Sequence, residues 1–171
     1  MFKRVSITGP ESTGKSSLAK YLAGYFGEPF VPEYAREYLS GKGLKYDMDD
    51  VLKIAKGQLK AENTIAREAN KILFCDTDLL VTKIWCEVVF GTVPQWIEKN
   101  FLEHKYDLYM LCYPDIEWQP DPLRQNPSDR LRLFSLYEKT LRKHGLTYEI
   151  ITGTGTKRYE KAVNIIKRIL Q

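Results

Sequence analysis

Apolar and polar positions follow two rhythms along this chain. Apolar runs rich in β-branched or aromatic residues occur at Phe2–Thr8, Lys71–Cys75, Asp107–Cys112 and Thr147–Ile151, and each reads as a buried strand. Glu28–Pro32 is a weaker candidate, because Pro29 and Pro32 make it short or irregular. Helical spacing fills the intervals. Ser16–Phe26 repeats Leu18, Tyr21, Leu22 and Tyr25. Glu33–Tyr38 opens a helix that breaks at Ser40-Gly41-Lys42-Gly43. Asp47–Asn70 starts with acidic residues and places Leu52, Ala55, Leu59, Glu62, Ala66 and Ala69 near one face. Further helices are predicted over Leu79–Phe90, over Pro94–Glu103, from a Ser128-Asp129 cap to His144, and from the 152–156 loop to Gln171. Strands alternating with helices, with no repeat or linker, predict one domain over 1–171. Its architecture is a five-stranded parallel sheet with helices on both faces. The irregular segment at about 114–130, with Pro114, Pro120, Pro122 and Pro127, is the one long interruption and is expected to act as a lid.

Composition narrows the class. The chain has 171 residues, 43% of them hydrophobic and 28% charged, as in an ordinary globular domain. No apolar run is long enough to span a bilayer. The first strand begins at once, which leaves no room for a signal peptide and predicts a cytoplasmic protein. Cys75, Cys86 and Cys112 form no C-x-x-C pair and lie in apolar stretches, so buried thiols are expected. The net charge of +4 is scattered, which suits a small phosphate-bearing ligand better than a nucleic acid or a membrane. Assembly into a homo-oligomer is left open.

The chemistry centres on Gly9-Pro10-Glu11-Ser12-Thr13-Gly14-Lys15-Ser16, which fits G-x-x-x-x-G-K-S between a predicted strand and a predicted helix. Gly9 and Gly14 allow a tight turn that aims backbone N–H groups inward. Glu11, Ser12, Thr13 and Ser17 complete a phosphate cradle, Lys15 brings a cation to the outer phosphates of ATP, and the Ser16 hydroxyl is placed to ligate Mg²⁺. The fold class is thus that of a P-loop NTPase.

Ligands of open parallel sheets bind at the carboxyl ends of the strands. That rule gathers Glu33, Asp76, Asp78, the 114–130 segment and the 152–156 loop at the P-loop edge. Asp76 is a candidate Mg²⁺ ligand or a helix cap; Asp78 is a cap or a partner for a substrate hydroxyl. Glu33 or Asp76 can take a proton from an attacking hydroxyl; otherwise Glu33 is a solvated carboxylate at a helix start. Arg36 clamps a ligand or pairs with Glu33 or Glu37. Arg124 and Arg130 supply positive charge for a migrating phosphoryl group or are surface arginines. Trp118 stacks on a planar ring or anchors the segment. His104 and His144 are expected at helix C-termini.

Four blocks then resemble one family. Gly9–Ser16, Pro32-Glu33-Tyr34-Ala35-Arg36-Glu37-Tyr38, Phe74-Cys75-Asp76-Thr77-Asp78, and Trp118-Gln119-Pro120-Asp121-Pro122-Leu123-Arg124 with Asp129-Arg130 are similar, in order, to the NadR-type ribosylnicotinamide kinase domain of NAD salvage. The resemblance implies ATP-dependent phosphorylation of the 5′-hydroxyl of nicotinamide riboside, giving nicotinamide mononucleotide. It implies phosphate and Mg²⁺ at Lys15 and Ser16, metal support from Asp76, and an acceptor site near Glu33, Tyr34, Arg36, Trp118 and Asp121. It also implies lid cations at Arg124 and Arg130, and adenine near Thr154. Family members often carry an upstream adenylyltransferase or DNA-binding domain; this sequence holds neither, so those activities are not implied and a stand-alone kinase is expected. Phosphorylation of another nucleoside, and a P-loop switch or ATPase without kinase activity, are the alternatives.

Overall fold

The computed structural model describes residues 2–171. Five strands are present: β1 (Lys3–Thr8), β2 (Phe30–Val31), β3 (Ile72–Asp76), β4 (Leu108–Cys112) and β5 (Tyr148–Ile151). They form one sheet in the order β2-β3-β1-β4-β5, with every neighbouring pair parallel. Seven α-helices connect and flank them: α1 (Lys15–Phe26), α2 (Tyr34–Leu39), α3 (Met48–Ile65), α4 (Leu79–Phe90), α5 (Gln95–Glu103), α6 (Arg130–Lys143) and α7 (Gly155–Ile169).

The two-residue period of the strands sorts the core into two layers. Val5, Ile7, Ile72, Phe74, Leu108 and Met110 pack with Leu18 and Leu22 of α1 and Ala162 and Ile166 of α7. Leu73, Cys75, Tyr109 and Leu111 face the other way, onto side chains of α3, α4, α5 and α6. Each fully buried Leu, Ile or Phe stabilises the fold by roughly 1.5–3 kcal/mol, so a parallel sheet covered on both faces is the arrangement these apolar runs favour. Strand order runs outward from β1 in both directions, which opens a crevice beside the carboxyl end of β1 where the P-loop begins. Among the described residues no helix is long and apolar enough to cross a membrane. Cys75, Cys86 and Cys112 are buried and free, and burial pushes the Cys86 thiol up to about 11.

β2 is short as expected, two residues long, because the flanking prolines cannot extend the ladder. Some local expectations need correction. The α3 pattern ends at Ile65 and a 3₁₀ turn over Ala66–Glu68 follows. Its buried face is Val51, Ile54, Ala55, Gln58 and Glu62; Leu52, Leu59, Ala66 and Ala69 are only partly covered. The polar members of that face have partners. Buried Glu62 accepts from the Tyr106 hydroxyl at 2.6 Å and meets His104 Nε2 at 2.8 Å. His104 does end α5, but its ring serves Glu62 on another helix. Asp129 holds the N-cap position of α6, yet its carboxylate takes Arg132 at 2.6–3.0 Å and caps no backbone N–H.

Candidate active site

The P-loop joins β1 to α1. Gly9 has φ 130°, and a Cβ there would stand 2.9 Å from the carbonyl oxygen of Cys112 in β4. Gly14 has φ 76°, and a Cβ there would stand 2.9 Å from the Ile116 side chain. Only glycine meets both the conformation and the space. Ser12, between them, is itself left-handed at φ 53°.

Two arginines brace the outer side of this loop. Arg130 Nη1 donates to the carbonyls of Ser12 and Ile116, each at 2.9 Å. Arg158 Nη2, buried, donates to the Thr13 carbonyl at 2.6 Å. Arg158 also donates to the Gly153 carbonyl at 2.9 Å and pairs with Asp115 at 3.0 Å. Carbonyls held from outside leave the neighbouring N–H groups free to face an anion, to which the N-terminus of α1 adds its dipole. Lys15 Nζ and the Thr13 hydroxyl both donate to the Pro10 carbonyl, at 2.6 and 2.8 Å.

Asp76 ends β3 next to β1, opposite Ile7. Burial raises its pKa to about 6, against a hydrogen bond from Ser16 and the charges of Lys15 and Arg36 that act the other way. Its Oδ1 is buried with no hydrogen-bond partner. An orphaned carboxylate oxygen beside a serine hydroxyl is a donor set that fits Mg²⁺, which takes few protein ligands and fills its octahedron with water and phosphate oxygens. Among the described residues no three His, Cys, Asp or Glu side chains cluster together.

Thr77, with φ 70°, is a β-branched residue in left-handed conformation, worth about 1–3 kcal/mol of local strain. Its N–H donates to the Ile7 carbonyl at 3.0 Å. Asp78 follows and caps α4, accepting from the Val81 N–H at 2.8 Å, from Thr8 at 3.4 Å and from the Ser6 hydroxyl. Burial raises this carboxyl to about 6. It borders the cavity, but both oxygens are engaged within the protein.

The cavity beside the P-loop measures about 230 Å³. Gly9 to Ser17, Glu33 and Arg36, and Leu123 to Asn126 all line it. Its lining is in part apolar and aromatic, with Tyr46 and Trp85 edge to face at 4.9 Å and the Trp85 N–H donating to the Tyr46 hydroxyl at 3.0 Å. Glu33 stands just before α2. Arg36 lies 3.8 Å from Glu33 and 2.9 Å from Asp121, so it ties the acceptor wall to the 114–130 segment. Gln58 of α3 accepts the Tyr34 N–H at 2.9 Å and so orients the start of α2.

Of the residues singled out from the sequence, the structure gathers Gly9, Glu11, Ser12, Thr13, Gly14, Lys15, Ser16, Ser17, Glu33, Arg36, Asp78 and Arg124 around this cavity, with Asp76 directly behind Ser16. Others stand apart from its lining. Tyr34 lies against Gly57, and Asp121 holds Arg36. Trp118 is half-buried with the Arg130 guanidinium 5.7 Å over its ring, and Thr154 is exposed at the start of α7. Arg130 reaches the outside of the P-loop. Sequence reasoning missed Arg158, Gln58, Tyr46 and Trp85. Arg158 had a signal: it shares helical spacing with Ala162 and Ile166, so it falls on the inward face of α7.

A family model described as an AAA domain matches residues 4–158. The chain belongs to that family. Among curated relatives of this AAA-family chain, the trifunctional NAD biosynthesis/regulator protein NadR of Salmonella typhimurium is 28% identical over 175 residues, covering 98% of this chain and 43% of the relative. The chain therefore spans less than half the length of that relative. A solved structure of NadR in complex with NAD and AMP-PNP superposes with TM-score 0.79 at 25% identity, over 98% of this chain and 49% of that one. A second NadR structure, in complex with NR, gives TM-score 0.83 at 24% identity, over 98% and 50%. The likeness to NadR and the P-loop α/β fold read from the motifs are thereby shown.

Proposed function

We propose that this chain is an ATP-dependent kinase that phosphorylates the 5′-hydroxyl of nicotinamide riboside, giving nicotinamide mononucleotide. One observation carries the reading: a phosphate cradle and a carboxylate-bearing, aromatic-walled pocket share a single cavity, lined also by an arginine-bearing segment. The NadR relative's part in NAD biosynthesis, and the AMP-PNP and NR held by NadR structures, support the same donor and acceptor for this chain.

In this reading the P-loop amides and Lys15 hold the triphosphate. Ser16 and Asp76 would hold Mg²⁺, which when bound neutralises charge on the phosphates. Glu33 accepts the proton of the 5′-hydroxyl as that oxygen bonds to the γ-phosphorus and the bond to the bridging oxygen of ADP breaks. Lys15 and Arg124 meet the charge that develops on the migrating group. The 114–130 segment is the lid, excluding the water that would otherwise compete as acceptor. Tyr46 and Trp85 give the cavity aromatic surface that suits a planar base.

The test is turnover with MgATP and a panel of ribosides, read as ADP release and product mass. Nicotinamide riboside is expected to give a product heavier by one phosphoryl group. A phosphorylated product from a different riboside only would replace the acceptor, and ATP hydrolysis with no phosphorylated product would remove the kinase reading.

A further inference from the structure

Glu11 sits inside the P-loop, yet its carboxylate serves the arginine-bearing segment that lines the cavity. Its Oε2 accepts the Asn126 N–H at 3.0 Å, the Asn126 side-chain amide at 3.2 Å and the Gln125 N–H at 3.2 Å, and the Gln125 N–H also reaches Oε1 at 3.4 Å. Three N–H donors from two consecutive residues thus converge on one anion. A carboxylate is an acceptor only, with about four lone-pair sites, and charge-assisted bonds of this kind are roughly twice as strong as neutral ones. Arg124 is the residue immediately before. Its Nη1 lies 3.4 Å from the Ser12 hydroxyl and donates to the Gln119 carbonyl, while the Gln119 N–H donates to the same Ser12 hydroxyl at 2.8 Å. Gln125 is held from its other end as well: its side-chain carbonyl accepts from the Tyr46 hydroxyl at 3.2 Å. One residue thereby spans from the P-loop to the aromatic wall.

We infer that Glu11 is a positioning residue, a latch that fixes residues 125–126 so that Arg124 stands over the P-loop and the lid meets the Tyr46 wall. This rests on the kinase reading above. Against the expectation that Glu11 completes the phosphate cradle, its carboxylate is turned to residues 125–126, so this side chain acts through Arg124 and is not a ligand of the nucleotide. Its removal loosens the lid while the cradle, braced from outside by Arg130 and Arg158, stays formed.

The test compares the parent chain with Glu11→Ala and Glu11→Gln by amide hydrogen exchange at residues 125 and 126, by Kd for AMP-PNP with Mg²⁺, and by steady-state turnover. In Glu11→Ala, exchange at both amides is expected to quicken and kcat to fall roughly 10- to 100-fold, the size of effect that follows a misplaced catalytic group. AMP-PNP affinity is expected to hold within about three-fold. Glu11→Gln keeps one acceptor oxygen and recovers part of both losses. Adding Glu11→Ala to an Arg124→Ala variant costs little more, because the two act as one unit. Unchanged exchange at 125–126 would overturn the latch, as would AMP-PNP affinity falling in step with kcat. If the parent fails to phosphorylate the riboside, the acceptor assignment falls, while exchange and AMP-PNP binding still decide the latch.

Discussion

The ring of Tyr34 lies flat against the Cα of Gly57, so that a Cβ built at residue 57 would overlap the ring. Gly57 is in the interior of α3, where propensity alone favours alanine by about 1 kcal/mol. Here packing reverses the sign. Gly57→Ala is expected to destabilise the fold by about 1–3 kcal/mol in urea denaturation, the usual cost of overpacking. Pairing it with Tyr34→Ala should return much of that loss, since neighbours in contact are not additive. A Gly57→Ala chain more stable than the parent would show that the ring does not need this position.

Lys15 donates to the Pro10 carbonyl from the first turn of α1, within reach of any anion in the loop. Lys15→Met is expected to lower kcat/KM by about 10²–10³, the scale of losing one preorganised charge partner. The shift in Tm that AMP-PNP gives the parent should shrink with it. Thermal unfolding with and without AMP-PNP separates lost binding from lost folding.

Asp76 carries a buried oxygen with no partner, a cost to the chain that ligation would offset. Asp76→Asn should leave the unliganded fold as stable as the parent or slightly more so. It should also raise the Mg²⁺ concentration for half-maximal turnover by roughly ten-fold or more. A Mg²⁺ titration of turnover, set beside urea denaturation, reads both. An unchanged Mg²⁺ requirement would take Asp76 out of the metal site.

Asp50 is held by Lys42 Nζ at 2.6 Å, by the Tyr38 hydroxyl at 2.7 Å and by the Asp47 N–H at 3.1 Å. These bonds, Lys42 first, keep its carboxyl far below the ordinary carboxylate range. A depressed folded-state pKa means that the unfolded chain takes up the proton first. The stabilisation is therefore present above the ordinary Asp value near 3.8 and is lost as pH falls below it. Asp50→Asn should be less stable than the parent at neutral pH, with a gap that narrows as pH is lowered through that range. Thermal unfolding across pH 2.5–7 measures it, and a gap independent of pH would remove the charged bonds as the cause.

The two rhythms of the chain were enough to place every strand and helix, because buried strands and amphipathic helices must carry those periods whatever surrounds them. They failed where a polar side chain occupied an inward position. Gln58 lies on the buried face of α3 and Arg158 on that of α7, each matched by partners from distant segments. Composition sees such residues as surface. Trp118 drew notice as an aromatic in an irregular stretch, whereas Trp85, hidden in a helical run, lines the cavity.

The amino-acid sequence by itself determined the alternating parallel architecture and the P-loop with its strand before and helix after. Those are local: glycine spacing, apolar period and capping residues act within a few positions. Only the tertiary structure decided what each charged group meets. Glu11 reaches the 125–126 amides, Arg130 and Arg158 brace the P-loop from outside, and Asp76 comes up behind Ser16 with an oxygen to spare. Such pairings join residues far apart along the chain, and the order of strands in the sheet sets them, which no local period encodes.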